Sequence, residues 1–176
     1  MRIGQYCATE AHYVPYDSAS PHAASLIVKN ILEACSNVRV EHIGSTSVPG
    51  CAGKGIIDLL LMYRAGMLEL AREGLDQLGF QRQGGPDPFP ESRPMRVASV
   101  EHVGRRYAVH VHVVENGSDE ARDLLKFRDL LRRNEGLRRA YEMEKRAILA
   151  RGISKSNEYS NAKGDFIRRV LAAAEF

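Results

Sequence analysis

Tryptophan is absent from this 176-residue sequence, and cysteine occurs only three times. Cys7, Cys35 and Cys51 are odd in number and have no CxxC spacing, so we expect reduced thiols rather than a disulfide framework or a zinc site. The sequence also lacks an apolar leader after Met1 and any apolar run of about 18 residues, the length that a membrane-spanning helix needs. We therefore expect a cytoplasmic protein that has no membrane partner.

A large excess of charge of one sign is missing as well. The formal net charge is +3, which is too small to indicate nucleic acid by itself, and no basic strand is interleaved with aromatic residues. The second half of the chain is nonetheless rich in basic residues, which indicates either a positive field near an anionic substrate or helical ion pairs such as Glu142–Arg146. These basic residues are Arg105, Arg106, Arg122, Lys126, Arg128, Arg132, Arg133, Arg138, Arg139, Lys145 and Arg146.

The composition, with 44% hydrophobic and 27% charged residues, is typical of a folded domain, and the length fits one domain with its own core. Helical and strand patterns are mixed, which predicts an α+β fold: a mixed sheet, helices packed on it and a C-terminal helical layer. We place an α/β core at about residues 1–116 and the helical part at about residues 117–176. The predicted strands cover 38–43, 56–63, 80–82, 96–102 and 106–115; the predicted helices run from Ser20 to Asn37, over 67–78, from Ser118, over 135–150 and through Phe166 to Leu171.

One segment cannot form regular secondary structure. Residues 84–90 read Gly-Gly-Pro-Asp-Pro-Phe-Pro, and Pro94 follows soon after. A loop of this length in a compact domain is often a lid or a specificity loop. Disorder without a function is the alternative for this 83–95 loop.

The segment from Glu41 to Asp58 is the most informative part of the chain. Its turn of small residues, Gly44-Ser45-Thr46, lets the backbone approach an anion closely and offers amide and hydroxyl donors, as phosphate-binding loops do. Asp58 interrupts an apolar run over 56–62 that is typical of a strand buried on both faces. A carboxylate there is costly unless a cation, a metal or hydrogen-bond donors meet it. With Lys54 between them, these elements predict a site for a nucleotide with a divalent ion.

The phrase Glu-His-Ile-Gly-Ser-Thr-Ser-Val-Pro-Gly at positions 41–50 resembles the signature of the GrpB-like family (glutamate-rich protein B), which lies in the nucleotidyltransferase superfamily. The similarity continues in order through Tyr16-Asp17, His110 to Val114, Phe127-Arg128-Asp129 and Asn161 to Ile167. It spans nearly the whole chain. It implies a nucleotidyltransferase-like core followed by helices.

In that superfamily the Gly-Ser turn holds the triphosphate, and carboxylates on the next strand bind a divalent metal. The resemblance therefore implies phosphate binding by Gly44 and Ser45 and metal binding by Asp58, with Mg²⁺ or Mn²⁺ as the cofactor. Leu60 stands where the usual second carboxylate would be, and family members commonly lack that carboxylate too. Because Mg²⁺ usually takes one or two carboxylates plus phosphate oxygens and water, such a site depends on a nucleotide that arrives with its metal.

Imidazole and phenol rings provide further candidates. His110 and His112 are spaced by two on a predicted strand, so both point to the same face. If that strand lies beside Asp58, two imidazoles and a carboxylate would suit Mn, Zn or Fe better than Mg, and His112 is the candidate metal ligand. His110 is a candidate contact for substrate phosphate or base, and hydrogen bonding within the core is the alternative for both histidines. Tyr141 and Tyr159 either stack on a base or pack between helices.

Three basic residues are candidates for neutralising phosphate charge. Arg128 would do so with its bidentate fork, and Lys54 and Lys163 would act as point charges. Lys54 would also stabilise the negative charge that develops if a nucleotidyl group is transferred. The alternative for each is a salt bridge, which Arg128 could form with Asp129 or Glu135.

These residues support two hypotheses for the function. The first is an enzyme that transfers a nucleotidyl group from an NTP to an unknown small-molecule or protein acceptor, with phosphates on Ser45 and a divalent ion on Asp58. The second is a non-catalytic accessory module that binds a nucleotide or another phosphate, like the similar domain fused to dephospho-coenzyme A kinase. Leu60 supports the second hypothesis, because it stands where the second metal-binding carboxylate would be. Both predict a phosphate-bearing small molecule as the partner, nucleic acid is not favoured, and the oligomeric state stays open.

Overall fold

The computed structural model describes residues 2–7, 13–85, 87–153 and 156–174. In this part of the chain a six-stranded sheet is packed with five α-helices and one 3₁₀ turn, which confirms the predicted α+β class. The strands are β1 (Ile3–Gly4), β2 (Val38–Ile43), β3 (Ile57–Tyr63), β4 (Gln81–Arg82), β5 (Met95–His102) and β6 (Arg105–Glu115). The helices are α1 (Ser20–Ala34), α2 (Leu68–Gln77), α3 (Asp119–Arg133), α4 (Glu135–Ala150) and α5 (Ser156–Ala173), and the 3₁₀ turn covers Ser45–Ser47.

The sheet is mixed because one strand pair in its middle is parallel. The order is β1-β5-β6-β3-β2, with β4 also pairing with β5, and β3 runs parallel to β6 while the other pairs are antiparallel. In the parallel pair Asp58 lies beside His110 and Leu60 beside His112. Since side chains alternate between faces along each strand, these four residues share one face of the sheet.

The opposite face carries the main hydrophobic core. Apolar residues of α1 and α2, such as Ile27, Ile31 and Leu75, pack there against Leu59 and Leu61 of β3, and all five are fully buried. The apolar residues Ala24, Ile27 and Ile31 of α1 and Cys35 just after it are buried, whereas Leu32 is 47% exposed.

The helices α3, α4 and α5 cover part of the face that carries Asp58. Ser118 caps the N-terminus of α3 as predicted: its hydroxyl accepts a hydrogen bond from the amide of Ala121 at 3.2 Å. A small cluster that includes Leu60 and Met62 packs under α3, and a second cluster joins the three helices to the segment after the 3₁₀ turn. The stretch of sheet around the start of β3 is left uncovered by these clusters.

Several basic residues of the helical layer form the ion pairs that the sequence suggests, among them Arg122 with Asp119 and Arg139 with Glu135. The predicted Glu142–Arg146 pair is wrong. Glu142 instead accepts a hydrogen bond from the amide of Ala52 at 2.6 Å, and the Arg146 guanidinium lies 4.7 Å from the centroid of the Tyr13 ring.

The short strand β1 was not predicted, and it pairs with β5 at the edge of the sheet. Cys7, Cys35 and Cys51 carry free thiols. Among the helices that the structure describes, none combines the length and the apolar character needed to cross a membrane.

Candidate functional site

The uncovered part of the sheet forms the floor of a cavity of about 530 Å³, a volume typical of small-molecule sites. The 3₁₀ turn, α3, α4, α5 and the loop between β4 and β5 form its walls. The lining includes a carboxylate, two imidazoles and two ammonium groups beside the serine of the turn. These residues are Ser45, Lys54, Asp58, His110, His112 and Lys163. The Gly-Ser turn and the carboxylate that the sequence predicts to act together therefore line the same cavity.

Gly44 allows the turn to lie directly against Asp58. Its backbone has φ 70° and ψ −176°, a region that is essentially restricted to glycine. A Cβ atom on Gly44 would come within 3.0 Å of the Asp58 Cβ and would overlap one carboxylate oxygen. The Ser47 hydroxyl donates to the Gly44 carbonyl at 2.7 Å and fixes the turn. Gly53 serves the turn in a similar way, because a Cβ there would overlap the Ser45 hydroxyl.

Asp58 lies at the floor of the cavity with 27% of its side chain exposed. Burial raises the pKa of this carboxyl group, while His110, Lys163 and Lys54 act in the opposite direction. The carboxylate is thus partly buried and surrounded by cationic and polar groups. This is the kind of partner set that a carboxylate in an apolar strand requires.

The two histidines flank the carboxylate. His110 Nδ1 lies 3.7 Å and His112 Nε2 lies 3.9 Å from Asp58 Oδ1. Burial lowers the pKa of both imidazoles, that of His112 to about 3, so both are neutral near pH 7. The Tyr6 hydroxyl is hydrogen-bonded to His110 Nε2 at 2.9 Å, which favours the tautomer with its proton on Nδ1, toward Asp58. The structure therefore brings together Asp58 and the metal-ligand candidate His112.

The lysines reach the cavity from distant parts of the chain. Lys54 follows the 3₁₀ turn, and Lys163 lies on α5. Burial lowers the pKa of Lys54, an effect that Asp58 opposes. Burial also lowers the pKa of Lys163 to about 8, with Asp58 opposing this effect and Lys54 and Lys145 adding to it. Both predicted phosphate-binding lysines thus face the same space as Ser45.

Two other predicted residues are largely engaged in the protein itself. The Thr46 hydroxyl donates to the Ile56 carbonyl at 2.9 Å, and this side chain does not line the cavity. Arg128 lines the cavity, but it donates to Asp129 at 2.8 Å and to Glu41 at 2.9 Å. The predicted pair with Asp129 is confirmed, and Glu41 takes the place proposed for Glu135. Phosphate binding by Thr46 and by Arg128 stays a prediction.

Lys145 and Phe89 also line the cavity, and neither is a predicted site residue. Lys145 is 2% exposed and donates to the Ala52 carbonyl. The sequence feature that could have indicated this position is a charged residue four positions after Tyr141, on the buried face of α4. Phe89, in the loop between β4 and β5, meets the His112 ring edge-on at 6.1 Å between centroids. Proline-rich loops carry no periodicity from which such a contact could be predicted.

Comparison with solved structures defines the class of this fold. The chain is similar to Cid1 in complex with its short product ApU, with a TM-score of 0.50 and 13% identity over 74% of this chain and 41% of Cid1. It is also similar to a cytoplasmic RNA terminal U-transferase, with a TM-score of 0.51 and 13% identity over 75% of this chain and 42% of the other. The fold is therefore that of the nucleotidyltransferases.

More specific similarities define the family. The family model described as GrpB protein matches residues 10–173. A UPF0157 protein of Streptomyces coelicolor is 37% identical over 150 residues, which cover 83% of this chain and 74% of that protein. The crystal structure of the conserved protein GrpB from Enterococcus faecalis matches with a TM-score of 0.64 and 26% identity, over 93% of this chain and 96% of the other. The chain belongs to the GrpB family, as the motif at positions 41–50 predicts.

Proposed function

We propose that the cavity binds a nucleoside triphosphate and that the protein transfers its nucleotidyl group to a small-molecule or protein acceptor. The observation that supports this proposal is the convergence of Ser45, Asp58, Lys54 and Lys163 in one cavity of about 530 Å³. A serine turn and two ammonium groups suit a polyphosphate, and a carboxylate beside them suits the cation that accompanies it.

The donor set decides how a divalent ion would be held. Asp58 offers one carboxylate, whereas Leu60, at the position of the usual second one, is fully buried in an apolar cluster. Within the described residues no group of three His, Cys, Asp or Glu side chains is arranged to hold a metal ion. The residues therefore fit Mg²⁺ or Mn²⁺ that arrives on the triphosphate and is held by Asp58, with His112 as the second candidate ligand. When bound, the ion would neutralise phosphate charge and polarise the α-phosphate.

The residues of the chain have separate tasks in this proposal. Ser45 and the amides of its turn bind the terminal phosphates. Gly44 lets this turn lie close to Asp58. Lys54 and Lys163 stabilise the negative charge that develops as pyrophosphate leaves. His110, neutral and hydrogen-bonded to Tyr6, contacts the substrate beside Asp58. The loop with Phe89 closes the side of the cavity next to His112.

The test compares pyrophosphate release from NTPs by the wild type and by the Asp58→Asn variant, with Mg²⁺ or Mn²⁺ and a panel of acceptors. We expect Asp58→Asn to lose at least about 100-fold in rate, as loss of a key charged group does, with an unchanged circular-dichroism spectrum. Glu33→Gln is the matched control, because this side chain is 65% exposed and lies on α1 at the other face of the sheet. Full activity in Asp58→Asn would refute the catalytic proposal.

A second candidate function is binding without chemistry, and the apolar surroundings of Leu60 favour it. A site in which the Asp58 carboxylate meets the ammonium groups of Lys54, Lys145 and Lys163 has the charge balance of an anion receptor rather than of a two-metal centre. The protein would then be an accessory module for a nucleotide or another phosphate. Nucleotide binding in the presence of EDTA, with no pyrophosphate released over hours, would select this function over the catalytic one.

A further inference from the structure

Tyr159 lies between the two lysines of the cavity. Its ring is 2% exposed, and the Lys54 ammonium is 4.0 Å from the ring centroid. The Lys163 ammonium, one helical turn further along α5, is 4.9 Å from the same centroid. The ring is thus occupied by two cations and packed within the protein, which leaves it unsuited to stacking on a base.

Two ammonium groups this close to one ring repel each other, so their placement needs compensation. The negative π face of a phenol attracts a cation, most strongly where water is excluded. The Asp58 carboxylate acts on both lysines and opposes the fall of their pKa values. Lys145 also lines the cavity, so the three ammonium groups exceed the Asp58 carboxylate by two positive charges beside the Ser45 turn. A phosphate group with two negative charges would balance that excess.

We propose that Lys54 and Lys163, both positioned by the ring of Tyr159, form a phosphate-binding site that works without a metal ion. This inference rests on the proposed function, because it concerns the same cavity, and it identifies a phosphate dianion as the chemical class that the lysine pair binds. Tyr159 is a positioning residue here: it acts through the lysines and makes no contact with the ligand.

Titration calorimetry with inorganic pyrophosphate in the presence of EDTA tests the site directly. We expect the wild type to bind and Lys54→Met and Lys163→Met each to lose about tenfold in affinity or more. Tyr159→Phe keeps the ring and should bind within about twofold of the wild type, whereas Tyr159→Leu should lose about fivefold or more. Lys29→Met, at an exposed lysine of α1, is the control that should change nothing.

Nuclear magnetic resonance gives a readout that a merely structural role of Tyr159 would not move. Methylene protons held over an aromatic face resonate upfield, so the ε-methylene groups of Lys54 and Lys163 should be shifted upfield in the wild type and in Tyr159→Phe. They should return to ordinary positions in Tyr159→Leu. Because the shifts of the wild type alone test this expectation, the test holds even if Tyr159→Leu fails to fold.

Three results would overturn the inference: ordinary ε-methylene shifts in the wild type, equal losses of affinity in Tyr159→Phe and Tyr159→Leu, or pyrophosphate binding only when Mg²⁺ is added. Its failure is separable from failure of the proposed function. If NTP turns over but pyrophosphate needs metal, the lysine site is refuted and the enzyme survives. If pyrophosphate binds in EDTA but no NTP binds under any condition, the proposed function is refuted and the lysine site survives.

Discussion

Replacing Gly44 by alanine tests the contact on which the candidate site depends. The backbone of Gly44, with φ 70° and ψ −176°, costs a residue with a Cβ about 1–3 kcal/mol. The new Cβ would also be within 3.0 Å of the Asp58 Cβ and would collide with its carboxylate. Such overpacking costs a further 1–3 kcal/mol or so, because the neighbouring strand must shift. We therefore expect Gly44→Ala to destabilise the protein by about 2–6 kcal/mol and to displace Asp58 from the cavity floor.

Gly66→Ala provides the matched control. Gly66 has φ 80°, and a Cβ there would meet no atom within 4 Å, so only the backbone cost of about 1–2 kcal/mol applies. Urea denaturation of both variants isolates the Asp58 contact as the difference between their free energies of unfolding. Calorimetric titration with a nucleotide should show weaker binding for Gly44→Ala alone. If the two variants agree within about 0.5 kcal/mol and bind equally, the close approach of the turn to Asp58 is refuted.

The charge of Lys163 should make anion binding depend on pH. Its pKa of about 8 reflects burial and the nearby Asp58 and Lys54, so the side chain is charged at pH 7 and mostly neutral at pH 9. The affinity for sulfate should therefore fall roughly tenfold from pH 7 to pH 9, and Lys163→Gln should remove that dependence. Arg96 is fully buried and joins Asp76 of α2 to the loop residue Glu91, both partly exposed. Arg96→Met should therefore cost about 1–3 kcal/mol in urea denaturation and speed proteolysis of the loop; an unchanged midpoint would contradict this. Arg128→Met should lower stability by a similar amount and change nucleotide affinity less than Lys163→Gln does; the reverse order would show that Arg128 acts mainly on the ligand.

Local patterns were sufficient to predict most of the fold. The strand Val38–Ile43 was placed at its observed bounds, and β3, α2 and the hairpin of β5 and β6 differ by one residue at their ends. Caps and turns made this possible, since Ser118 caps α3 and Gly104, with φ 70°, lies in the turn between β5 and β6, and the chemistry of both is local. The two-residue strand β1 has no such pattern, because its existence depends on the edge that β5 offers.

Side chains in the site were less predictable, because their partners come from remote parts of the chain. That Gly44, Asp58 and Lys163 face one cavity agrees with the family resemblance. The role of Tyr159 required coordinates, since nothing in its local sequence indicates that Lys54 lies on its ring. Arg128 shows the same limit: its bond to the adjacent Asp129 was predictable, but its bond to Glu41, 87 positions away, was not.

The position of α5 has a consequence for biogenesis. Every strand of the sheet precedes this helix in the chain, so a ribosome completes Asp58 and the serine turn long before it reaches Lys163. During synthesis the nascent sheet would carry the Asp58 carboxylate and Lys54 before Lys163 of α5 is in place. Under the proposed function, the ability to bind a phosphate would therefore arise late, when the last helix docks.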